Sequence, residues 1–144
     1  MRTCILVSLT SVLCVASAGC CAPTYSVTVD PNADYGSPVS QKDAESGAMK
    51  FMRAYLKDPH SAQYEWGTVQ QAWIHMQPTA FKPRIYGYAL EASINGKNGY
   101  GGYVGFKPFR FFYRDGKLIQ VAEAQANQFS PDGTMWWQVS PPPQ

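Results

Sequence analysis

Residues 85–94 read IYGYALEASI, and this stretch decides the fold. Tyr86, Tyr88, Leu90, Ala92 and Ile94 recur at every second position, which is the period of a strand with one buried face. Working outward from it, Asn95 to Gly102 is rich in glycine and asparagine and reads as a connection. Tyr103 to Tyr113 reads as a long aromatic strand, with Pro108 as a point where it bends. Asp115-Gly116 then signals a tight hairpin, and Lys117 to Glu123 pairs back. On the N-terminal side, Ala62, Tyr64 and Trp66 alternate up to the break at Gly67, and Val69 to Met76 reads as a further strand. Gln77 to Pro83 joins it to the central strand.

Before these strands the period changes. Ala44, Ala48, Phe51, Met52, Tyr55 and Leu56 lie at helical spacings, so one face of a helix starting after Ser40 is apolar. Ser40 with Asp43 has the form of a weak capping box. Acidic Asp43 and Glu45 fall early and Lys50, Arg53 and Lys57 late, as the helix dipole favours. Pro59 disfavours helical geometry at Asp58, so the helix is expected to stop near Lys57. The expected fold is α+β: one N-terminal helix packed on an antiparallel β-meander of about four strands, over residues 41–123. Residues 20–40 are expected to be a flexible tether, in which Tyr25–Val29 has weak strand character. Residues 124–144 are expected to be an irregular C-terminal tail, interrupted by Trp136-Trp137 and ending in Pro141-Pro142-Pro143.

The chain has 144 residues, which fits one ordinary domain. Charged residues make up 15% and hydrophobic residues 45%, so there is apolar material for one core and no charge-driven disorder. The formal net charge of +2 carries no basic footprint of the kind nucleic-acid binding requires. A multidomain enzyme, a coiled coil and a polytopic membrane protein are all excluded.

Residues 1–22 read MRTCILVSLTSVLCVASAGCCA. Arg2 is a positive n-region, Cys4 to Val15 an apolar h-region, and Ala16-Ser17-Ala18 a small-residue cleavage pattern, so residues 1–19 read as an export signal. The apolar run is too short to span a bilayer, which takes about 20 residues. Ala18-Gly19-Cys20 resembles the lipobox of bacterial lipoproteins, with Ser17 where that class usually has leucine. There the thiol just after the cut carries diacylglycerol. The four cysteines are Cys4, Cys14, Cys20 and Cys21. Once the signal is removed only the adjacent pair remains, and adjacent cysteines are poorly placed to bridge each other. Lipidation at Cys20 is therefore expected, with cleavage after Ala18 and release as the alternative. By resemblance to enterobacterial lipoprotein sorting, Cys21 rather than aspartate after Cys20 implies the outer membrane, with the domain facing the periplasm.

Two motifs carry a further resemblance. One is Leu56-Lys57-Asp58-Pro59-His60-Ser61-Ala62. The other is Asn95-Gly96-Lys97-Asn98-Gly99-Tyr100-Gly101-Gly102-Tyr103-Val104-Gly105, followed by Pro108-Phe109. Together, over roughly residues 45–120, they resemble a family of small bacterial exported proteins and lipoproteins with no established activity. The resemblance implies fold and compartment and no mechanism. Members of that family often have a cysteine before the asparagine motif. Here Ala92 and Ser93 stand there, so a disulfide role is absent.

The chemistry-bearing residues are few. His60 and His75 are the only histidines. Ser61, His60 and Asp58 contain the residue types of a triad, but sequence neighbours do not present triad geometry, and catalysis is not expected. No metal-ligand spacing occurs, and no cofactor is implied. Gly99, Gly101 and Gly102 lack the Lys-Ser/Thr and the helix start of a phosphate loop, and read as hairpin turn chemistry, with Asn95 and Asn98 bonding the turn backbone. Tyr100 and Tyr103 beside Gly102 are the candidate platform for a partner protein or a sugar. The expected role is a non-enzymatic binding or structural module in the envelope. The alternatives are a glycan- or small-ligand-binding protein using exposed aromatics and, behind it, a small envelope hydrolase.

Overall fold

The computed structural model describes residues 25–27, 29–75, 83–126 and 134–139. The export signal, Cys20 and Cys21, residues 77–82 of the expected loop and the terminal prolines lie outside the described residues. The elements in order are β1 (Tyr25–Ser26), α1 (Gln41–Tyr55), a 3-10 turn at Pro59–Ser61, β2 (Gln63–Trp66), β3 (Gln70–Ile74), β4 (Ile85–Asn95), β5 (Lys107–Arg114), β6 (Lys117–Ala126) and β7 (Thr134–Gln138). All strands pair antiparallel in one sheet, in the order β1-β3-β4-β5-β6-β7, with β2 also on β4. Among the described residues the architecture is one α-helix and one antiparallel sheet, α+β as expected, but with seven strands rather than about four.

The extra strands have identifiable causes. β2 and β3 share one edge of β4 and form a single broken run. The register slips by one residue between Trp66↔Ala92 and Gln70↔Ala89, so the sheet is six strands wide. β7 lies in the segment expected to be irregular. It pairs along β6 from Ala126↔Thr134 to Ala122↔Gln138. Backbone pairing to a neighbouring strand makes it a strand, and a short apolar pair between turn residues does not reveal that pairing. β5 begins at Lys107, not Tyr103, because 96–106 is held in its own loop. The strand is not broken at Pro108, which pairs with Ser93 as its second residue.

α1 begins as its sequence dictates. The Asp43 N–H donates to Ser40 Oγ at 3.1 Å, while Ser40 Oγ donates to Asp43 Oδ2 at 2.6 Å. It ends at Tyr55, two residues before Lys57. Leu56 is already extended (φ −79°, ψ 146°), and Asp58 before Pro59 is outside α geometry (φ −129°, ψ 81°). Leaving the helix turns Leu56 onto the core, where its Cδ2 lies 3.0 Å from the position of a Cβ built on Gly96.

Ala44, Ala48, Phe51 and Met52 of α1 pack on Leu90, Ala92 and Ile94 of β4, Phe109, Phe111 and Tyr113 of β5, and Val121 of β6. These strand residues share one face by alternation. The helix is locked by the Tyr113 hydroxyl, which donates to the Ala44 carbonyl at 2.7 Å; burial raises the Tyr113 pKa. A smaller cluster of Ala72, Ile74, Ala89 and Phe112 occupies the opposite face. Gly87 makes room for it: a Cβ there would collide with the Tyr113 carbonyl oxygen and lie 2.9 Å from the Phe112 ring.

The described part of the expected tether is folded. Tyr35 is buried against Tyr86 and Tyr88, and its hydroxyl accepts the Asp30 N–H at 2.8 Å. Arg114 donates to the Tyr86 carbonyl, the Asp34 carbonyl and the Asp34 carboxylate at 2.6–2.9 Å. The Asp34 carboxyl is held below its ordinary value by the Gly36 N–H first and Arg114 second. Arg114 makes its bonds to Asp34 from eighty residues away in the chain, which local composition does not reveal. Tyr25–Ser26 does pair, with Ile74 and Trp73.

Candidate functional site

The segment between β4 and β5 is an ordered loop, and its own side chains order it. Asn95, the last residue of β4, is buried. Its Oδ1 accepts the Gly105 N–H at 3.0 Å and its Nδ2 donates to Gln63 Oε1 at 3.2 Å. Asn98 Oδ1 accepts the N–H groups of Tyr100 (2.9 Å) and Gly102 (3.1 Å), so one amide oxygen organises the turn. The Asn98 N–H donates to the Gly102 carbonyl, and Lys97 bridges to Tyr103 across the base. Left-handed backbone falls at Gly101 (φ +80°) and Gly105 (φ +93°). Of the three glycines read as turn chemistry, Gly101 is left-handed and Gly99 and Gly102 are not. The Asn98 side chain closes the turn instead, and Gly96 is reserved for packing against Leu56.

This organisation leaves apolar side chains outside. Tyr100 is 99% exposed, and Tyr103, Val104 and Phe106 are each about half exposed. Asn95 and Asn98 are thus brought together with Tyr100 and Tyr103, and their side-chain oxygens hold the loop backbone. The two tyrosines also differ. Tyr103 donates its hydroxyl to the Ser61 carbonyl at 2.9 Å and carries Lys97 Nζ 5.2 Å above its ring. Tyr100 has no such tie. Tyr103 is thus fixed to the rest of the domain, whereas the Tyr100 ring stands in solvent.

Beneath the loop lies a polar group that the sequence reading missed. Glu123 is 5% exposed, and its carboxylate accepts the Tyr55 hydroxyl and Lys107 Nζ, both at 2.8 Å. Burial, then Glu123, pushes the Tyr55 pKa up from 10.0 to about 12. A cavity of about 100 Å³ beside them is lined by Leu56, Ile94, Val104 and Phe109. The signal was present: Glu123 has the parity of core-facing Val121, and a carboxylate on a buried face must be paired.

A second cleft, of about 250 Å³, opens by Glu65, Glu91, Ser93, Pro108 and Trp136. Arg110 stacks 3.8 Å over Trp136 and donates twice to Glu91 Oε1, so Glu91 is engaged by a neighbouring cation. Gln41 clamps the break between β2 and β3, donating to the Gly67 carbonyl and accepting the Val69 N–H, each at 2.9 Å.

The histidines do not converge. Ser61 Oγ donates directly to Asp58 Oδ2 at 2.7 Å, which lowers the Asp58 pKa, and His60 is exposed on the same turn. His75 is buried edge-on to Trp73, and its Nδ1 has no hydrogen-bond partner among the described residues. Among the described residues no group of three His, Cys, Asp or Glu side chains converges, and no helix is long and apolar enough to cross a membrane. The chain matches no protein-family model, no curated protein and no solved structure.

Proposed function

We propose that this chain is an exported protein, lipid-anchored through Cys20 in the cell envelope, that works as a non-enzymatic binding module through the loop at 96–106. One observation carries the binding reading. Four large apolar side chains are exposed on a loop whose backbone is held by Asn95 and Asn98. A loop ordered before it meets a partner loses little conformational freedom on binding, and clustered exposed apolar side chains mark interaction sites. Export and lipidation rest on the n-region, h-region and lipobox-like Ala18-Gly19-Cys20.

The test has two arms. Mass spectrometry of the mature N-terminus should find acylated Cys20; a free Gly19 N-terminus without acyl mass would remove the anchor. A photo-crosslinking amino acid at position 100 in living cells should give a discrete adduct, while one at exposed Lys117, beyond the opposite end of β4, should not. Equal labelling from both positions, or none from 100, would remove the loop as the binding element.

A further inference from the structure

We infer that loop 96–106 is a second membrane contact, docking on the anionic headgroup surface of the bilayer that holds Cys20, so that the domain lies along the membrane. This rests on the anchored reading above and names the partner of that same loop.

Two observations carry it: the side-chain chemistry of the loop and the reach of the N-terminal segment. Tyr100, Tyr103, Val104 and Phe106 are exposed on the loop, and Lys97 and Lys107 lie within and just after it. Lys57 joins them from the α1 exit, with Nζ 3.5 Å from the position of a Cβ built on Gly99. The neighbouring carboxylates are Asp58, bonded to Ser61, and Glu123, which is buried and takes Lys107. Exposed Lys57, and Lys97, which lies over the Tyr103 ring and is shared with Asp58, are thus the cations beside a set of rings and branched apolar chains. Tyrosine sits readily at a bilayer interface, apolar chains enter the acyl boundary, and lysines extend their ammonium groups to phosphates.

Chain length supplies the second observation. Five residues from Cys20 to Thr24 precede β1 and reach at most about 17 Å when extended. β1 pairs with Ile74 and Trp73, which lie opposite Ile85 and Tyr86 at the start of β4. The loop follows the other end of β4, 11 residues on, a distance of about 36 Å. A leash at the far end keeps the loop within about 50 Å of the leaflet, which makes its docking there intramolecular. Its effective concentration at the headgroups is then high, and weak individual contacts suffice.

The test uses the full chain, produced in a bacterium and reconstituted into vesicles, with an environment-sensitive fluorescent amino acid replacing Tyr100. Emission should shift to the blue in phosphatidylcholine vesicles containing phosphatidylglycerol and stay unshifted in phosphatidylcholine alone. High salt should reverse the shift. Lys57→Gln and Lys97→Gln should each weaken loop docking about five-fold, the effect of one lysine near an anionic surface. Unshifted emission from a chain whose Cys20 is acylated overturns the loop contact and leaves the anchor standing. Emission that moves with envelope proteins but not with lipid overturns it in favour of a protein partner. An unacylated N-terminus in the same sample overturns the anchored reading itself.

Discussion

The two ends of β4 solve the same problem in opposite ways. At the Ile85 end, the turn is the two-residue Asp115-Gly116 hairpin, both residues at positive φ, and the incoming 29–40 segment is clamped by Arg114. Its aromatic residue, Tyr35, is buried between chain and sheet. At the Asn95 end, the connection is longer, the clamps are two asparagine side chains, and the aromatic residues are outside. Both ends are ordered by side-chain bonds to backbone. Exposure of Tyr100 therefore does not reflect a lack of order; the loop is held in a shape that keeps the ring in water.

The largest effect should come from the packed end. Tyr35→Ala removes a buried ring and should cost about 3 kcal/mol in urea unfolding, within the usual range for truncating a buried large aromatic. A cost near zero would mean that the 29–40 segment is peripheral and the two ends are alike. Next comes the frame of the open end. Asn95→Ala leaves the Gly105 N–H without its acceptor and should cost about 1–3 kcal/mol. Amide exchange should rise at Gly105 while the α1 amides keep their protection.

The ends should also respond to opposite extremes of pH. Tyr55 has its pKa raised from 10.0 to about 12, so the neutral hydroxyl is favoured in the folded state. Its contribution is complete below pH 10 and is lost as pH rises towards 12. Asp34 has its pKa lowered from 3.8, so its contribution is complete above that value and is lost as pH falls below it. Urea melts across pH should show Tyr55→Phe blunting the alkaline loss and Asp34→Asn blunting the acid loss. Exchanged effects would reverse the assignment.

The smallest effect should be Tyr100→Ala, within about 0.5 kcal/mol of wild type because the ring packs on nothing. Crosslinking and docking at the loop should nevertheless fall. Destabilisation by more than about 1 kcal/mol would place Tyr100 in the fold and end the contrast.

Much of this was legible without coordinates. The period of two in IYGYALEASI located β4 within a residue, Ser40 and Pro59 bracketed the helix, and Asp115-Gly116 marked the hairpin, because each is decided by local sterics and hydrogen bonding. The roles of Asn95 and Asn98 as turn holders were also readable, since an asparagine side chain bonds backbone nearby. Tertiary structure alone decided the rest. Whether 134–138 is a strand depends on β6 lying beside it. Whether 29–40 is a tether depends on Arg114, about eighty residues away. Glu123 became the seat of Tyr55 and Lys107 only when helix and strand met. Local preferences act over a few residues and can be read along the chain, whereas pairing and burial join distant residues, and only the folded chain brings those together.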